Sequence, residues 1–174
     1  MNLSQTIFEL IDMRSFSNLW FWIALAVVWS SASHWVLGVP WDLALRAKRK
    51  GGQFEEDFET LLRINVNRLI YIYEVSGLVL TSFGSFVLTT LLVMGFYYRV
   101  EFAQAVFLIA FPLSIVGWLS MRAARKIRIS GATGDEVHRR LLMHRLAIQG
   151  IGVVSIFVTA LWGMLQNLTI GALG

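Results

Sequence analysis

Cysteine is absent from this chain. There is then no disulfide framework, no thiolate nucleophile and no cysteine ligand for zinc or an iron–sulfur cluster. Histidine is nearly absent as well: three residues, none four positions apart, make a poor metal or haem site. The sequence has no G-x-S-x-G, no H-E-x-x-H and no glycine-rich phosphate loop. The arginines near the last apolar run lack the every-third-residue series of a voltage sensor. No basic face is interleaved with aromatic residues, so nucleic acid is not an expected partner. The expectation is a non-enzyme with no catalytic residue, no metal and no cofactor.

Charge is scarce in four long stretches. Residues 17–39, 69–98, 102–121 and 141–165 each match or exceed the roughly 20 apolar residues that carry a helix across a bilayer. With 56% apolar residues and a mean hydropathy of +0.63, the 174-residue chain leaves no room for a separate soluble domain. The expected fold is all-α: a single integral membrane domain over 1–174, with four transmembrane helices in two antiparallel hairpins forming a four-helix bundle. Ahead of it, Leu3, Ile7, Leu10 and Ile11 share one face of residues 2–13. That spacing predicts a short amphipathic helix on the outer membrane surface.

What charge there is lies in two places. Of fifteen Lys and Arg residues, six fall between Arg46 and Arg68 and seven between Arg122 and Arg145. The positive-inside rule puts the connections over about 41–66 and 122–140 in the cytoplasm, and both termini outside it. Arg46, Lys48, Arg49, Lys50, Arg122, Arg125, Lys126 and Arg128 are then candidates for contact with lipid headgroups or with a cytoplasmic protein.

Local signals refine the picture. Ser15 or Ser17 can cap the first span, and Pro40 is expected to kink or end it. After the Gly51–Gly52 turn the basic run over 46–50 meets an acidic one, Glu55, Glu56, Asp57 and Glu59, so opposite signs are expected to face each other across a hairpin. Phe54, Phe58, Leu61 and Leu62 keep helical spacing, which starts the second helix before the membrane. Glu59 and Arg63 form a favourable i,i+4 pair, and Thr133 with Glu136 has capping-box spacing.

One ionisable group lies inside the second apolar run, Glu74. A carboxylate at that depth is costly and marks a site by default. Counted inward from the cytoplasmic ends, Glu74, Arg145 and His34 lie at similar depth. A Glu74–Arg145 pair with His34 or His144 nearby, and with Asn67 and Tyr71 on the same stripe, is the expected intramembrane polar cluster. Its role is left open between a structural ion pair, a proton or ion pathway, and snorkelling of Glu74 to the interface.

The block SFSNLWFWIALAVVWSSASHWVLGVPWDL, with RINVNRLIYI and EFAQA, resembles small four-span bacterial membrane proteins labelled as components of the SufBCD complex, the SUF iron–sulfur assembly machinery. The resemblance implies a bacterial inner (plasma) membrane location and an accessory role beside that complex, and it brings no functional residues with it. Lacking cysteine, this chain would not hold a cluster by thiolate ligation. The expected function is a non-enzymatic membrane subunit or adaptor. The alternatives are a small oligomeric ion or proton transporter using the Glu74 stripe, with self-association open, and a b-haem carrier on His34 and His144.

Overall fold

The computed structural model describes residues 15–171. The amphipathic helix expected over 2–13 lies outside them. About 90% of the described residues are in helix. Among them are three helices long and apolar enough to cross a membrane and one shorter apolar helix.

The short helix, α1 (Leu19–His34), follows a single 3-10 turn over Ser15–Ser17. Its cap is Asn18, not either of the expected serines: the Asn18 side chain accepts from the Trp20 N–H at 3.0 Å. The helix stops at His34, five residues before the expected end. The cause is a tight reversal in which β1 (Trp35–Val36) pairs with β2 (Val39–Pro40) across Leu37 and Gly38, both at positive φ. Two consecutive positive φ values are what a two-residue hairpin turn demands. Leu37 is buried in this uncommon geometry, and Asn65 fastens the turn by donating to the Gly38 carbonyl at 3.0 Å. Pro40 does not kink α1; it sits extended at the head of the next helix, where a missing N–H costs nothing.

That helix is α2 (Trp41–Lys50), and it is amphipathic. Ala44 and Ala47 are buried, while Arg46, Lys48, Arg49 and Lys50 point outward. Gly51 and Gly52 break the chain at positive φ, and α3 (Gln53–Leu92) begins at once. It winds on through a wider π segment, Val93–Tyr97, to give 45 unbroken helical residues. A turn with Arg99 at φ 58° leads into α4 (Glu101–Ser130). Gly131 closes α4 in the left-handed region that glycine favours, and α5 (Gly134–Gly171) follows.

Packing is uneven along these helices. The larger core joins α2, the first turns of α3, the last turns of α4 and the start of α5, through residues such as Val39, Ala47, Phe58, Leu62, Ala124 and Leu141. A smaller one, with Leu25, Trp29, Val116 and Ile148, joins α1, α4 and α5 in their apolar middle. The most apolar stretch of α3 is only 6% buried, against 22% for α4 and 28% for α5. Such bare apolar surface, with Leu78 and Phe86 more than two-thirds exposed, suits a hydrocarbon solvent.

At the far end, one buried amide ties three elements. Gln104 of α4 donates to the Gly95 carbonyl at 2.7 Å and accepts from the Trp162 indole at 2.9 Å. Gly95 makes this approach possible, since a Cβ there would lie 2.9 Å from the Gln104 backbone nitrogen. Nearby, Glu101 accepts the Phe16 N–H at 2.8 Å and anchors the entry to α1.

Candidate functional site

The polar groups expected to form one intramembrane cluster are divided among three helix junctions. Glu74 does not pair with Arg145. Its carboxylate faces Arg128 of α4 at 3.8 Å, with both side chains half exposed or more. At that length and exposure the pair contributes little by itself. Arg125, one turn away on α4, lies over the Tyr73 ring at 4.7 Å.

Arg145 goes to a different junction. Its Nε donates to the Ser33 carbonyl at 3.1 Å and its guanidinium covers Trp41 at 4.5 Å, so it bridges α5 to the end of α1 and the start of α2. The Ser33 carbonyl belongs to the last turn of α1, where a cation complements the helix dipole. His34 stands beside Asp42 at 3.8 Å on the open side of the same junction. His144 is buried between α4 and α5, with Nε2 3.0 Å from the Ser120 hydroxyl. Asn67 and Tyr71 are exposed on α3 and join none of these pairs.

The expected pairing of the basic and acidic runs also fails. Among the described residues no ion pair links the 46–50 run to Glu55, Glu56, Asp57 or Glu59. Instead Arg46 meets Asp42 of its own helix at 3.9 Å, and Lys50 lies over Phe54 at 4.9 Å. Two of the acids, Glu55 and Glu59, are used by α5. Glu55 accepts from His138 Nε2, which lies 2.8 and 3.0 Å from its two oxygens, so this nitrogen carries a proton. Phe58 stacks flat on the same imidazole, with ring centres 4.7 Å apart and planes at 10°.

Glu59, one turn on, accepts the Gly134 N–H at 2.6 Å. It therefore caps α5 from another helix, and a carboxylate at an N-terminus also meets the positive end of the dipole. This displaces two local expectations. Glu59 is not spent on Arg63, and Glu136 is not a capping-box partner of Thr133 but pairs with Arg140 at 2.6 Å.

Glu55, Phe58, Glu59 and His138 together form a connected polar constellation between α3 and α5, and sequence reasoning did not assemble it. The helical spacing of Phe58 with Leu62 was legible; the identity of the facing helix was not. What the constellation can do is hold two helix starts in fixed register, since charge-assisted hydrogen bonds and a stacked ring restrict both distance and rotation. Among the described residues no group of three or more acids or histidines could hold a metal ion.

The basic residues placed outward are thereby mounted on a rigid base. Lys48, Arg49 and Lys50 project from α2, while Arg122, Arg125, Lys126 and Arg128 project from the last turns of α4. In comparisons with protein-family models, curated proteins and solved structures, nothing matches this chain.

Proposed function

We propose that the chain is a non-enzymatic integral membrane subunit or adaptor of the bacterial inner membrane. In this reading α1, α3, α4 and α5 cross the bilayer four times as two antiparallel hairpins. Both termini lie outside the cytoplasm, and α2 with the adjoining ends of α3, α4 and α5 forms a cytoplasmic platform. The observation that carries the reading is where buried packing and polar links between helices are concentrated. The larger core and the Glu55–His138 and Glu59–Gly134 links lie at the charged end of the bundle, not in its apolar middle. A pre-ordered charged platform limits the ordering cost of binding a protein. The resemblance to SUF-labelled proteins makes an iron–sulfur assembly complex the partner to try first.

The transporter alternative keeps one observation in its favour: Glu74, Thr81 and Ser85 are exposed along α3 in the single chain, so a second copy would have to enclose them. One preparation tests both readings. Reversing Lys48, Arg49 and Lys50 to Glu is expected to cut co-recovery of a protein partner from gently solubilised native membranes at least tenfold, with the melting temperature unchanged. Recovery that does not change defeats the adaptor reading. Vesicles containing the purified wild type should pass no protons, and a flux lost in Glu74→Gln would establish the transporter instead.

A further inference from the structure

Two cavities lie along the α4–α5 junction, and helical phase makes them one groove. On α4 their walls include Leu108, Pro112, Ile115, Leu119, Arg122 and Lys126, spaced four and three residues apart in alternation. On α5 they include Arg140, Met143, Ala147, Gly150 and Val154 at the same alternating spacing. Residues so spaced share one face of a helix. The two cavities therefore lie end to end along one face, about 770 Å³ at the charged end and about 540 Å³ at the apolar end, and together make the groove.

The two ends differ in chemistry. The first has Arg122, Lys126, Arg139 and Arg140 against the single carboxylate of Glu136. Arg140 is already engaged, by Glu136 at 2.6 Å and by the Lys126 carbonyl at 3.1 Å. Arg122, Lys126 and Arg139 have no ion-pair partner among the described residues. The other end is walled almost wholly by apolar side chains. From Leu119 to Leu108 it extends eleven residues, about 17 Å of helix, close to the roughly 15 Å of one hydrocarbon leaflet.

We infer that this groove is a binding site for an anionic glycerophospholipid. Its phosphate sits among Arg122, Lys126 and Arg139, and an acyl chain lies between Leu119 and Leu108. A basic pocket between spanning helices with an apolar slot beneath it matches both halves of such a molecule. A free phosphate would use only the upper half, and a zwitterionic lipid would bring an ammonium that offsets its phosphate and meets three cations there. The inference does not depend on the adaptor reading, because it concerns lipid rather than a protein partner.

The full chain in detergent, titrated with phosphatidylglycerol, with phosphatidylcholine of the same acyl chains, and with inorganic phosphate, tests it by native mass spectrometry. Phosphatidylglycerol should be retained at least tenfold better than phosphatidylcholine. The Arg122→Gln, Lys126→Gln double variant should weaken that retention about twenty-five-fold, at roughly fivefold per cation, and Arg63→Gln with Arg68→Gln should not. Gly150→Leu supplies an independent arm, since a Cβ at Gly150 meets nothing within 4 Å and Gly150 lines the slot that the longer side chain would occupy. It should lower phospholipid retention while Arg122, Lys126 and Arg139 remain. Equal retention of both lipids, or equal loss in the two double variants, reduces the site to general charge attraction and overturns the inference. So does phosphate binding as tightly as phosphatidylglycerol, or a Gly150→Leu variant that retains lipid normally.

Discussion

Phe58 shows how much one side chain carries. It is fully buried in the larger core and also forms the floor on which His138 lies. Truncating a buried phenylalanine typically costs about 3–5 kcal/mol, through lost transfer free energy and the cavity left behind. Phe58→Ala should therefore lower the unfolding free energy in detergent by about that much, read from denaturant or thermal melts. Phe54→Ala, at a far more exposed site, serves as the comparison and should change the melt little. His138 is the residue whose role sequence inspection could least foresee. Its importance comes from Glu55 and Phe58, 83 and 80 positions earlier, and no local pattern encodes a partner at that separation.

At the scale of the element, the apolar runs were legible because hydrocarbon imposes a length and forbids charge. The turn between α3 and α4 follows from that, whereas the charged ends of α3, α4 and α5 run past the apolar limits to Gln53, Ser130 and Gly134. The end of α1 does not follow from it, because a two-residue hairpin depends on the pair of φ angles at Leu37 and Gly38 and on the Asn65 clasp, neither visible as hydropathy. Pro40 misled for the same reason: it signals a break but not on which side the next helix starts. The depth argument for Glu74 and Arg145 failed because equal depth says nothing about helix rotation, and rotation sends one residue to α4 and the other to α1.

Close packing between α1 and α5 gives a second expectation at this scale. A Cβ at Gly152 would sit 2.8 Å from Cε3 of Trp29, so Gly152→Ala forces the indole aside. In lipid, helix association rests on such close approach and not on hydrophobic expulsion. The single change should lower the melting temperature by several degrees, and Trp29→Ala in the same chain should recover part of the loss. Strict additivity of the two losses would show that the contact is not shared.

For the whole molecule, orientation decides every other reading. The proposed arrangement places both basic connections in the cytoplasm. An amine-reactive reagent that does not cross membranes, applied to intact cells, should leave Lys50 and Lys126 unmodified and should reach both after lysis. Labelling of either residue before lysis would invert the arrangement, and with it the adaptor surface and the headgroup end of the groove. The global pattern of thirteen cations out of fifteen in two clusters was read from the sequence without difficulty. How those clusters are braced was not, since Glu55 and Glu59 serve α5 and not the neighbouring basic run.

The 45 helical residues of α3 measure about 68 Å end to end, more than twice the roughly 30 Å of hydrocarbon they would cross. If some 30 Å of that rod stands clear of the lipid, leaning it by ten degrees carries its tip about 5 Å sideways. Because Glu55 and Glu59 tie that end to the start of α5, such a lean would carry both helix starts sideways together.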